Sequence, residues 1–149
     1  YFANSVIPIA HLLSKGVEIG LGTDISGGFS PSLLDNVRPT ALVSRMFEAS
    51  GKGTLSAEER GVANSRITIN EAFYLATAGG GESLNLPIGR LEENYAWDVQ
   101  IIDTTVAYAK LPIYHANEEL HDKFQKIMYL VTPENIREVW VQGVKVHSR

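Results

Sequence analysis

A chain of 149 residues with 44% apolar and 20% charged side chains is long enough to bury a core and has the composition of a globular protein. Thirteen basic residues against seventeen acidic ones leave a net charge of −4 with no basic stripe, which argues against a nucleic-acid or anionic-lipid binder. There is no cysteine, so disulfides and thiolate chemistry are excluded; no apolar run approaches the length of a membrane span, and a cytoplasmic location fits.

The opening stretch "YFANSVIPIA" lacks Met, carries no signal peptide and is already patterned, so the chain is expected to be a fragment or processed piece of a longer one. Val6, Ile9, Ala10 and Leu13 fall at helical spacing. Ser5 is the expected N-cap, Pro8 sits in the first turn, and Lys15-Gly16 ends the helix. Val17, Ile19 and Leu21 then alternate with Glu18, Gly20 and Gly22, a strand pattern, and helix–Gly–strand is half of a βαβ repeat. After Gly27-Gly28 the stretch "SPSLLDNVRPTALVSRMFEAS" reads as a helix capped by Ser30-Pro31 or Ser32-x-x-Asp35. Its apolar face is Leu34, Val37, Ala41 and Leu42, and Pro39 is expected to kink it. Residues 51–66 are polar, Gly-bearing and aperiodic, hence a loop and the expected mobile segment.

Thr68-x-x-Glu71 is a capping box for the helix "INEAFYLATA", which is expected to end at Gly79-Gly80-Gly81; "ESLNL" follows as a short helical piece. The tail changes character. "AWDVQIID" reads as a strand and "ANEELHDKFQKIMYL" as a helix packed on its own domain. "IREVWVQGVKVHS" reads as a hairpin turning at Gln142-Gly143, and Trp97 and Trp140 are expected in strands as core residues. The chain therefore divides near residue 85 into segments 1–85 and 86–149.

The stretch "VEIGLGTDISGG" carries the chemistry. Strand parity puts Asp24 on the face of Gly22, Gly20 and Glu18, away from Val17, Ile19 and Leu21. In a (β/α)8 barrel that face points to the centre, the two glycines leave space there, and the strand's C-terminal end is where active sites lie. An Asp in a Gly/Ser turn also simply caps backbone N–H groups. The residues by themselves leave both roles open. "TAGGGES" and "DISGG" lack the Lys and the spacing of a phosphate loop.

"LLSKGVEIGLGTDISGG", with its G-x-G-T-D ending, resembles the eighth barrel strand of the amidohydrolase superfamily. "EAFYLATAGGGESLNLPIGRLEENYAWDVQIID" resembles the A-T-x-G-G helix, the I-G-x-L turn and the strand that follow it there. Within the superfamily, "DISGGFSPSLLDNVR" and the tail "FQKIMYLVTPENIREVWVQGVKV" are most similar to the guanine deaminases. The usual Gly of the turn is replaced by Asn94, which tolerates a left-handed backbone, so the turn is expected to survive.

The resemblance implies an α/β chain: the last helix–strand–helix of a metal-dependent (β/α)8 barrel in 1–85, then a helix and strands contributing to a small β-sandwich domain in 86–149. It implies a hydrolase that converts guanine to xanthine and ammonia, active as a homodimer when intact. One Zn²⁺, or Fe²⁺, would be held by an H-x-H pair, two further His and Asp24, and would activate a water whose proton Asp24 accepts; an upstream Glu would shuttle that proton. The four His here are His11, His115, His121 and His147, with no H-x-H pair. His11 reads as a packed or surface residue, the others as surface residues. The chain thus carries one of five ligands, is expected to be inactive alone, and shows no substrate-binding residue. Other amidohydrolase deaminases or chlorohydrolases, acting on another purine, a pyrimidine or a triazine, and a non-catalytic fragment remain alternatives.

Overall fold

The computed structural model describes residues 6–50, 56, 61–114 and 117–149, which fall into two compact units, 1–83 and 84–149. The expected cap Ser5 and most of the expected mobile loop lie outside the described residues.

In the first unit, helix α1 (Ile9–Ser14) has Pro8 at its N-cap position and no side-chain cap. It ends as its sequence demands. Gly16 at φ 75° donates to Leu13 O at 2.9 Å and Val17 N donates to Leu12 O at 3.1 Å, which together satisfy two carbonyls of the last turn. Only glycine adopts that left-handed conformation without steric cost. Residues 17–24 then run extended, but not as the expected strand. A strand exists through its ladder. Here the described backbone bond from the segment to a neighbouring element is Leu21 N to Leu75 O, 2.9 Å.

Helix α2 (Leu34–Ala49) continues through Pro39. Its buried stripe is Val37, Ala41 and Ser44, at i, i+4 and i+7, whereas Leu42, expected on that face, is 59% exposed. One residue is 100° of helix, enough to carry Leu42 out of the stripe. Neither expected serine cap forms: the N-cap position is Leu33, with no side-chain hydrogen bond. Ser44 accepts from Ile67 N at 3.0 Å and so ties α2 to the entrance of α3 (Ile69–Ala76). There the capping box is present in full. Glu71 N donates to Thr68 Oγ1 at 3.1 Å, and Thr68 N donates back to Glu71 Oε2 at 2.6 Å. Ile67, Ile69, Ala72 and Leu75 from this element join Val37 and Ala41 in the core.

The glycine run is not the end of the helix, as the sequence suggests, but part of α4 (Ala78–Ser83), which starts after a break at Thr77 (φ −126°, ψ −96°). Glycine is a poor helix former, and packing overrides that propensity here.

The second unit is a three-stranded antiparallel sheet, β1 (Val99–Ile102), β2 (Ile136–Val141) and β3 (Val144–Ser148) in that order, with helix α5 (Leu120–Leu130). The hairpin turn has Gln142 at φ 48° and Gly143 at φ 76°, the backbone of a primed turn whose twist matches the strands. Asn94 takes φ 69°, so the substituted turn survives as expected. β1 is shorter than the sequence suggests. Ala96 N bonds Pro87 O (2.8 Å), Asp98 N bonds Ala96 O (2.9 Å), and the Asp98 carboxylate accepts from Gln142 N (2.7 Å), so residues 96–98 serve a turn instead of a ladder. Helix α5 likewise begins only at Leu120, and ahead of it Asn117 N donates to Tyr114 O. Trp97 is 52% exposed and precedes β1, contrary to the core position expected of it; Trp140 does lie in β2.

Asn135, fully buried, joins the pieces of this unit. Its Oδ1 accepts from Thr132 N and Oγ1, its Nδ2 donates to Asp103 O at 3.0 Å, and its own carbonyl accepts from Asp103 N at 2.7 Å. The end of β1 is thereby clamped to the turn that launches β2.

Two expectations follow from these local structures. Thr68→Ala removes a helix cap and should lower stability by about 1 kcal/mol, while Asn135→Ala leaves buried backbone groups unpaired and should lower it by about 2 kcal/mol; urea midpoints at constant m-value check both. Hydrogen bonds from the Thr105 hydroxyl and backbone N–H hold the Asp103 carboxyl below its ordinary value of 3.8. The stability this group contributes is present above that value and is lost as pH falls through the lowered folded one. Asp103→Asn should therefore flatten the acid limb of a stability–pH curve and leave its alkaline limb unchanged.

Candidate functional site

Along residues 18–24, Ile19, Leu21 and Thr23 are half-buried while Glu18, Gly20, Gly22 and Asp24 are exposed, the alternation expected of an extended chain; Val17, expected on the face of Ile19 and Leu21, is exposed. Asp24 ends the segment at φ 50°, a left-handed conformation that Asp tolerates better than most residues. The chain turns at once, with Gly28 N donating to Asp24 O. The carboxylate leans over Gly27, where an added Cβ would stand 3.0 Å from Asp24 Oδ2.

The two glycines before Asp24 have different surroundings. Around Gly22 a Cβ would meet nothing within 4 Å, the open space the sequence suggests. Around Gly20 it would meet Gly80 Cα at 2.9 Å, so this position does not open a cavity but lets α4 approach. The approach is reciprocal, since a Cβ on Gly79 would stand 2.8 Å from Ile19 O. In the sequence Gly79-Gly80-Gly81 reads as punctuation; the spacing of small residues opposite an extended segment is the signal of a packing surface.

His11 is exposed on α1, His121 is exposed on α5 with Nε2 2.7 Å from Gln125 Nε2, and His147 is exposed on β3; His115 lies outside the described residues. Among the described residues no group of three or more His, Cys, Asp or Glu could hold a metal.

Two other depressions are poor catalytic candidates. One of about 540 Å³ beside α2 is lined by Val6, Val43, Met46, Phe47, Ala49 and Ser50, with no titratable group. One of about 260 Å³ in the second unit brings together Asp103, Glu134, Arg137 and Arg149, where Arg149 stacks 5.8 Å from the Tyr108 ring centre. Its charges balance, and both carboxyls are held low by hydrogen bonds from neighbouring threonines, as a structural ion network requires.

Comparison with known proteins places the chain in a family. The model of the amidohydrolase family matches residues 1–146. A guanine deaminase from Dictyostelium discoideum is 34% identical over 94% of this chain, and one from Mus musculus is 30% identical over 97%. The crystal structure of guanine deaminase from C. acetobutylicum with bound guanine in the active site superposes on 96% of this chain with a TM-score of 0.76 at 25% identity. The chain spans only 29%, 31% and 30% of these three proteins.

The unequal glycines give a direct test. Gly20→Ala forces two backbones apart and should lower stability by about 1–3 kcal/mol, whereas Gly22→Ala enters open space and should change it by less than about 0.5 kcal/mol. Equal losses for the two in urea unfolding would refute the packing assigned to Gly20.

Proposed function

The chain belongs to the amidohydrolase family, and from that premise we propose that it is the C-terminal portion of a guanine-deaminase-like hydrolase that turns guanine and water into xanthine and ammonia. The observation that carries this reading is the similarity to guanine deaminases, which runs through both units. On this reading residues 1–85 supply the last helix–strand–helix of the (β/α)8 barrel, and residues 86–149 a helix and strands of the small β domain. A soluble cytoplasmic homodimer is the assembly we propose; among the described residues no helix is long and apolar enough to cross a membrane.

Asp24 is the residue of this chain that we assign to the chemistry. An exposed carboxylate at the end of an extended segment, beside the open side of Gly22, fits a ligand of Zn²⁺ or Fe²⁺. The remaining ligands, an H-x-H pair and two further His, are not among these residues and would come from the rest of the protein. When bound, the metal supplies Lewis acidity that brings the pKa of a water toward neutrality. Asp24 has two tasks there. One carboxylate oxygen is a donor to the metal, and the basic carboxylate takes a proton from the attacking water. That proton is needed by the departing amine, which leaves as ammonia. The left-handed turn at Asp24 holds its backbone through Gly28, so the carboxylate is aimed before substrate arrives.

Asp24→Asn in the full-length protein keeps the side chain's size and turn-forming ability but removes its charge and basicity. We expect kcat for guanine to fall about 10²–10⁴-fold with the circular dichroism spectrum unchanged. Near-normal kcat would return Asp24 to a turn residue. The 149-residue chain alone, freed of any full-length enzyme, should release no ammonia from guanine.

A further inference from the structure

The turn that follows Asp24 is fastened at its far end. Gly28 donates to Asp24 O, and a Cβ at Gly28 would collide with the Thr23 carbonyl oxygen, so the turn closes tightly on the segment it leaves. Only Phe29 separates Gly28 from Ser30, the first buried residue after the turn, 8% exposed. The Ser30 hydroxyl accepts from Ser32 N at 3.1 Å and donates to Asp35 Oδ2 at 2.7 Å. Asp35 stands in the first turn of α2, and its other oxygen pairs with Arg38 Nη1 at 3.3 Å one turn along. These serine and aspartate side chains, which the sequence offers as helix caps, do not cap the helix. They tie Ser30 to the start of α2, and from Ser30 the chain itself leads back through Phe29 to Gly28, whose amide bonds the backbone of Asp24.

The geometry points to Ser30 and Asp35 as positioning residues for Asp24: their hydrogen bond anchors the exit of the turn to α2 and so fixes the direction in which the Asp24 carboxylate is presented. This rests on the proposed role of Asp24 as a metal ligand. The physical argument is one of reach. A ligand at the tip of a short turn holds its metal only if both strands of the turn are fixed. The entering strand is fixed by Leu21 N on Leu75 O and by the close approach of Gly20 to α4. The leaving segment is fixed by the Ser30–Asp35 bond, together with Ser32 N on Ser30 Oγ and Asp35 N on Ser32 O at the start of α2. A partner that orients a ligand in this way changes metal affinity by about 10–100-fold when removed.

The test uses the zinc-loaded full-length protein and follows loss of zinc to an excess of chelator. Ser30→Ala should speed that loss about tenfold or more, Asp35→Ala should do the same, and the double variant should be no faster than either single one, because each removes the bond that the two side chains share. Asp35 is 40% exposed at its side chain, so its variant folds even if the buried serine does not tolerate change. Ser44→Ala is the matched control. It removes another buried serine of the same helix, one that bonds Ile67 N, and should lower stability while leaving zinc loss at the normal rate. Normal zinc retention by Asp35→Ala, multiplying effects in the double variant, or equally fast loss from Ser44→Ala would each overturn the proposal. Asp24→Asn is run beside them. If it retains zinc like the unchanged protein, the ligand assignment itself fails; if it loses zinc while Asp35→Ala does not, only the positioning role fails.

Discussion

The close approach of two backbones, Gly20 against Gly80 and Gly79 against the Ile19 carbonyl, is the constraint on which the first unit depends. No side chain larger than hydrogen fits between them. The approach lets the extended segment lie along α3 and α4 and brings Leu21 N to Leu75 O. It also accounts for the interruption at Thr77. Leu75 O is used by the segment, the backbone breaks, and the chain resumes as α4 at the angle that presents the glycines. Three consecutive glycines in a helix cost intrinsic stability. The packed segment offsets that cost, and with its register fixed, the alternation of side chains carries Asp24 to the exposed side.

The same unit shows how a small number of polar groups fix the elements around that segment. Ser44 joins the middle of α2 to the amide just before α3, the Thr68–Glu71 box closes the first turn of α3, and Ser30 with Asp35 ties the loop after Asp24 to α2. Ser44 satisfies an amide that burial would otherwise leave unpaired, while the exposed Thr68–Glu71 box satisfies amides that the helix start leaves without an intrahelical partner. A catalytic carboxylate needs a fixed direction more than it needs stability. In the functional reading proposed above, the two ends of the Asp24 turn are held by different devices, a close backbone approach with one backbone hydrogen bond on the entering side and side-chain hydrogen bonds on the leaving side.

The second unit is organised around Asn135 in place of a glycine contact. One buried amide side chain accepts twice and donates once, clamping β1 to the turn before β2. Around it, charge is neutralised locally: Glu138 is held low first by its bond to Lys145 and then by Trp140, and Lys145 lies 4.9 Å from the Trp140 ring centre. Lys126 similarly meets Glu118, the Pro112 carbonyl and the Tyr114 ring, fastening the stretch before α5 to that helix. These pairs are partly exposed, and solvent screening keeps each of them worth little to stability.

Signals confined to a few neighbouring residues were legible in the sequence. The Thr68–Glu71 box, the Gly16 helix end, the Gln142-Gly143 hairpin turn and the left-handed Asn94 all follow from local chemistry, and the structure has each where its residues predict it. The G-x-G-T-D segment, with the sequence around it, likewise carried the family, because a strand end that offers one carboxylate has a short and specific pattern. What the sequence did not reveal depends on which of several possible partners a group takes once the chain packs. Gly20 reads as open space until Gly80 is brought against it, Ser30 reads as a cap until Asp35 takes its hydroxyl, and Leu42 reads as core until Val37, Ala41 and Ser44 set the buried stripe. Residues 17–24 alternate like a strand, yet a strand needs a neighbour's hydrogen bonds, and alternation alone cannot supply them. Local propensity determines turns and caps because their donors and acceptors lie within a few residues; which face is filled, and by what, is decided only when segments dozens of residues apart meet.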